Sequence, residues 1–163
     1  MRDDRRMSII PGRQRANPSK PLALFLIGMR INNLLAVNRW GPVAMAMPRM
    51  QAELLRKPEA GLLWHRNFLS GRLVMSLQYW ESTEKLFAYA HDRAGEHFPA
   101  WAAFNRKLKD NRAVGIWHET YSVTPEQAEN IYSNMPAFGL GAAIGLSPAL
   151  ARMGGLRDPF PRP

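Results

Sequence analysis

Leu22-Ala-Leu-Phe-Leu-Ile-Gly-Met-Arg-Ile31 is apolar at nearly every position, the pattern of a β-strand covered on both faces. Phe25, Ile27, Met29 and Ile31 alternate with Leu22, Leu24 and Leu26, so apolar side chains leave the strand in both directions. A connection follows through Asn32, Asn33 and Trp40-Gly-Pro42. Val43 to Lys57 then sets Met47, Met50, Leu54 and Leu55 at helical spacing, with Pro58 as a stop. Leu62 to Ser70 and Arg72 to Trp80 read as two strands around Gly71, a hairpin signal. Ser82 is placed to cap a helix carrying Leu86, Phe87, Tyr89 and Ala90. Phe98 to Lys109 reads as a further helical stretch, in which His97, Trp101, Phe104 and Leu108 share a face. Ala113 to Val123 is the last strand-like run. The order strand, helix, strand, strand, helix, strand predicts an α+β domain over residues 22–124, ferredoxin-like βαββαβ with a four-stranded antiparallel sheet.

The flanks read differently. Residues 1–21 contain Pro, Gly and Arg without a period and are expected to form a basic, extended arm. Residues 125–163 read as an extension with no clear strand that wraps the domain or a partner. Two helices cover one face of the sheet, which leaves a second apolar face. A second copy related by a two-fold axis is the simplest cover. The expectation is a homodimer whose sheets face one another, a dimeric α+β barrel enclosing a mostly apolar pocket for a small molecule.

Composition limits the chemistry. The 163 residues are 46% hydrophobic and 21% charged, enough for one domain with a real core. There is no cysteine, which excludes disulfides, thiolate metal sites and cysteine nucleophiles. The net charge is +9, and two thirds of it falls in residues 1–20 and 145–163. The basic run Arg106, Lys107, Lys109 and Arg112 reads as the positive last turn of a helix, so nucleic acid is not an expected partner. Asp3, Asp4 and three prolines interrupt a signal-peptide reading of the start, which points to the cytoplasm. Asn130 to Ala151 is uncharged and holds Gly141-x-x-x-Gly145, but only Phe138 to Leu146 is uninterrupted apolar or Gly sequence, too short to cross a bilayer. Phosphate-loop, dinucleotide and nucleophile-elbow motifs are absent.

Five segments then carry a resemblance: Ile27-Gly-Met-Arg-Ile-Asn32, Gln78-Tyr-Trp-Glu-Ser82, His97-Phe-Pro-Ala-Trp101, Val114-Gly-Ile-Trp-His-Glu-Thr-Tyr121 and Tyr132-Ser-Asn-Met-Pro-Ala-Phe-Gly-Leu-Gly141. In these the chain resembles a family of small bacterial and fungal proteins known as domain of unknown function 4188, grouped with a fumagillin-pathway monooxygenase. That family looks like a branch of the dimeric α+β barrel superfamily, which holds cofactor-independent monooxygenases, haem-dependent enzymes and non-enzymatic members. The resemblance implies the same barrel and, by analogy, oxygenase chemistry.

The residues offer candidates for that chemistry. His118 shares a strand side with Val114, Ile116 and Thr120, and a histidine among apolar neighbours is readily tuned for proton transfer. A core histidine bonded to backbone is the alternative. His97, at a helix start, is a second base and, if haem is bound, the best-placed axial ligand; His118 is the other. No histidine lies in a metal-ligand motif, so no metal site is expected. Arg30, Asn33 and Tyr121 can stabilise an oxyanion at the barrel mouth, or else serve as an ion pair and a turn. Trp101, Trp117, Tyr79 and Phe104 are candidate walls for a planar substrate. The leading expectation is a cofactor-independent monooxygenase acting on a small aromatic or polyketide-like compound. A haem enzyme, of monooxygenase or aldoxime-dehydratase type, and a non-catalytic ligand-binding dimer are the alternatives.

Overall fold

The computed structural model describes residues 8–92 and 112–149. In chain order its elements are β1 (Ile10–Arg15), β2 (Leu22–Ile31), α1 (Val37–Arg56), β3 (Leu62–Ser70), β4 (Leu73–Trp80), α2 (Thr83–His91), β5 (Val114–Val123), β6 (Tyr132–Met135), α3 (Leu140–Ile144) and β7 (Ser147–Pro148), with 3-10 turns at Pro58–Ala60 and Pro125–Gln127. Strands β3-β4-β2-β5 form one antiparallel sheet in that order. With α1 and α2 as the crossings, this is the ferredoxin-like βαββαβ fold.

The all-apolar stretch is the central strand. β2 pairs with β5 from Leu22↔Val123 to Ile31↔Val114 and with β4 from Ala23↔Trp80 to Arg30↔Leu73. β3 and β4 close through Gly71 and Arg72, and Gly71 takes φ 55°, a left-handed conformation that glycine adopts without cost. Ser82 caps α2 by accepting a hydrogen bond from the Lys85 amide at 3.3 Å.

Alternation sends Ala23, Phe25, Ile27 and Met29 toward the helices. Ala23, Leu54, Trp80 and Leu86 form the core there, with Phe25, Leu62 and Tyr89 packed on it. α1 begins six residues before the expected Val43 and runs through Trp40-Gly-Pro42. Both Pro42 and Pro48 lie inside it and are exposed, so the carbonyls they leave unpaired reach water and the helix continues. Leu55, at the same helical spacing as Leu54, is 66% exposed.

A second, three-stranded sheet, β6-β1-β7, lies where no strand was expected. The basic arm is thus not merely extended: Ile10 pairs with Met135, Gln14 with Tyr132, and Arg15 with Ser147. Asn130 continues this join, accepting from the Ala16 amide at 2.7 Å and donating to the Ala16 carbonyl at 2.8 Å. Ala16, Leu22 and Leu140 are buried together here, with Leu63, Tyr79 and Leu146 around them. Gly141 is packed inside this cluster, where an added Cβ would lie 2.9 Å from Leu146 Cγ and 3.2 Å from Tyr132 Cζ. Gly141 therefore serves close packing within the chain, whereas Gly145, with φ 94° and open space around it, ends α3. No helix among the described residues is long and apolar enough to cross a membrane.

Candidate active site

Two rows of side chains cross the sheet beneath the helices. Register places His65, Gln78, Phe25 and Thr120 in one, and Asn67, Ser76, Ile27 and His118 in the next. α1 lowers Gln51 onto the second row. Its Nε2 donates to Asn67 Oδ1 at 2.8 Å and Ser76 Oγ at 3.0 Å, and Asn67 Nδ2 donates back to Gln51 Oε1 at 2.9 Å. Gln78 Nε2 donates to Ser76 Oγ at 3.2 Å, and Trp80 Nε1 to Gln78 Oε1 at 2.9 Å. Gln51, Ser76 and Gln78 are all buried, so these bonds offset the desolvation of the amides.

Beside the network lies a cleft of about 40 Å³, walled by Phe25, Ile27, Met47, Met50, Leu54 and Leu86, with Gln51 and Gln78 as its polar groups. The His118 ring lies 5.9 Å from the Phe25 ring. Its strand side agrees with the alternation. The expected apolar enclosure does not: His118 is exposed, and Ile116, two residues before it on the same side, is 40% exposed.

His65, at the other end of the first row, is half-buried and its Nδ1 has no hydrogen-bond partner. Burial lowers its pKa below that of a free imidazole. It was not singled out in the sequence, and neither were Gln51, Asn67, Ser76 and Gln78. Ser76 and Gln78 alternate with apolar Met75, Leu77 and Tyr79, a signal with meaning only once the helix-covered face is known.

Arg30, Trp117, Tyr79 and Tyr121 lie on the opposite face, since period two separates them from His118. A single site joining His118 to Arg30 and Tyr121 is therefore not formed within this chain. Tyr121 is exposed and donates to Glu119 Oε2 at 2.9 Å, a bond that raises its pKa. Trp117 lies over Gly28. Tyr79 is packed against Trp64, ring centroids 6.2 Å apart, and Trp64 meets Phe138 edge-on at 5.1 Å. Burial pushes the Tyr79 phenol up, Tyr132 adds to it, and a hydrogen bond from the Leu140 backbone opposes. Phe138, from the segment Asn134 to Gly141, thus packs on β3 of its own chain, where the Arg66 guanidinium also lies 5.2 Å from its ring.

Asn33 lies at the end of β2, and its Oδ1 accepts from the Leu35 amide at 3.1 Å, a turn. Arg30 donates to Asn32 Oδ1 rather than to a carboxylate. Here a wide groove of about 530 Å³ opens, bordered by Asn33, Leu35, Arg39 and Arg112. His97, Trp101 and Phe104 lie outside the described residues. The cleft beside Phe25, at about 40 Å³, is smaller than a porphyrin, and among the described residues no group of three His, Asp or Glu side chains is placed to hold a metal ion.

No curated protein matches the chain. Among solved structures, an aldoxime dehydratase in complex with butyraldoxime superposes with a TM-score of 0.63 at 19% identity, covering 80% of this chain and 39% of that one. A second aldoxime dehydratase gives 0.61 at 18%, covering 82% and 43%. The chain thus spans about two fifths of the length of these enzymes, and the likeness is one of fold. SnoaB, a cofactor-independent oxygenase from Streptomyces nogalater, gives 0.44 at 12%, covering 61% and 90%. The family described as Monooxygenase af470-like matches residues 22–140, from the central strand through the start of α3, and the chain belongs to that family.

Proposed function

We propose that the protein is a monooxygenase that needs no cofactor and oxidises a small aromatic or polyketide-like compound on the helix-covered face of its sheet. The observation that carries this reading is the mostly apolar cleft into which two buried amides, Gln51 and Gln78, are set. Such a site is dry, and donors fixed in it stabilise developing negative charge without reorganising. Met47 and Met50, unbranched and adaptable, are the wall groups that move aside to admit the ring. His118, next to Phe25 at the edge of this face, acts as the base. It takes a proton from an acidic phenol or enol, and the carbanion passes electrons to O₂. A CH₂ becomes C=O, one oxygen atom enters the product and the other leaves as water, so the substrate supplies all four electrons. Arg30, Asn33 and Tyr121 have no part in this step because they lie elsewhere.

The protein acts in the cytoplasm, in keeping with its lack of cysteine, and as a homodimer. Phe138 and α3 occupy the β3 side of the far face, so the second copy takes the β2 and β5 side around Trp117 and Tyr121. The test is a sizing column with an absorption spectrum from about 300 to 700 nm, with and without haemin, followed by oxygen uptake on phenols and enols. A colourless dimer with uptake that His118→Ala abolishes while the fold is retained supports the reading. A Soret band travelling with the protein, or uptake unchanged in His118→Ala, overturns it.

A further inference from the structure

The groove at the end of β2 has more positive charge around it than its fold requires. Asn32 is its hub: its side chain accepts from Arg30 and donates to the Arg112 carbonyl at 3.1 Å, while Arg72 donates to its carbonyl at 3.3 Å. Arg39 and Arg112, both exposed, border the opening, and among the described residues neither side chain has a carboxylate or hydrogen-bond partner. None of the described lining residues is acidic. Arg39 sits in the first turn of α1, which contains no acidic residue and no side-chain cap. A cation there opposes the helix dipole, so folding alone gives no reason for it. Leu35, on the lip, is 93% exposed, and its neighbours Leu34 and Val37 are 50% and 55% exposed. The volume lies within the range of about 300–1,000 Å³ that small-molecule sites occupy.

We propose that this groove binds a small molecule with an apolar body and one oxyanion, a carboxylate or a phosphate. Arg39 and Arg112 grip the oxyanion, since a planar guanidinium presents paired donors to two oxygens. Leu35 lies against the apolar body. The site is separate from the helix-covered cleft, and binding there is read without turnover, so it stands whether or not the oxygenase reading does.

The test is calorimetric titration of the full chain, at about 0.15 M salt, with benzoate, phenyl phosphate, inorganic phosphate and the neutral analogue benzamide. Saturable binding of benzoate or phenyl phosphate, with benzamide weaker by about tenfold or more, is the expected result, and which of the two binds better identifies the oxyanion. The double variant Arg39→Gln, Arg112→Gln is expected to lose about tenfold or more. Should that variant fail to fold, Asn33→Asp gives a second route, because an aspartate keeps the turn bond to the Leu35 amide while placing a negative charge in the groove; it too is expected to abolish binding. Equal binding of benzamide and benzoate, unchanged affinity in the variants, or binding only to anionic phosphatidylserine vesicles overturns the proposal.

Discussion

A methyl group at position 28 would lie 2.7 Å from Trp117 Nε1 and 2.7 Å from the Val74 carbonyl oxygen. The indole lies over the strand just where the glycine leaves space, and the carbonyl belongs to a paired neighbour that cannot yield. Gly28→Ala is therefore expected to destabilise the fold by about 1–3 kcal/mol, read as a lower urea midpoint with unchanged slope. His65 gives a pH signature. Unfolded, its imidazole takes up a proton near 6.5; folded, burial keeps it neutral to lower pH. The unfolded chain thus binds the proton first, so the stability contributed by His65 is complete above 6.5 and is lost as the pH falls below it. In His65→Gln the drop in stability between about pH 7.5 and about pH 5 should shrink; an undiminished drop would show that His65 is not its source. Alternation alone placed His118 on the correct side of its strand. Its exposure was not legible, because solvent access depends on which helix reaches that far across the sheet.

Among the elements, α1 and the sheet are joined by a polar clasp rather than by apolar packing alone. Gln51→Leu removes three hydrogen bonds but leaves Ser76 the Gln78 donor and the exposed Asn67 to water, at an expected cost of about 1 kcal/mol. A double-mutant cycle with Asn67→Leu should show coupling of about 1 kcal/mol or more, and additive losses would mean that the bonds carry no stability. The four long strands and both crossing helices were legible because their apolar periods run for eight residues or more. α1 was read too short because Pro42 looks like a boundary until its exposure is known. β1, β6 and β7 were missed for another reason: Ile-Pro-Gly-Arg-Gln-Arg and Tyr-Ser-Asn-Met are short and mostly polar, and only their mutual hydrogen bonds make strands of them.

At the level of the molecule, the C-terminal segment closes the far side of the sheet near Leu22, Leu63 and Tyr79. A chain ending at Thr124 would expose these side chains and is expected to lose about 3 kcal/mol or more, seen by denaturant unfolding; equal stability would mean that the small sheet is ornamental. A monooxygenase-like family and the fold were readable because motifs and strand order extend over most of the chain. The helix-side amides were not, since they come together only when α1 docks. The small sheet also has a temporal consequence. Gly12 donates to Asn134 across 122 positions of sequence, and contacts this distant must await the entropy of closing a long loop. During synthesis, the N-terminal strand emerges from the ribosome more than a hundred residues before its partners do. For that interval it is an unpaired edge, open to any passing strand, and its Pro11, Gly12, Arg13 and Arg15 are residues that discourage such pairing until Tyr132 to Met135 arrives.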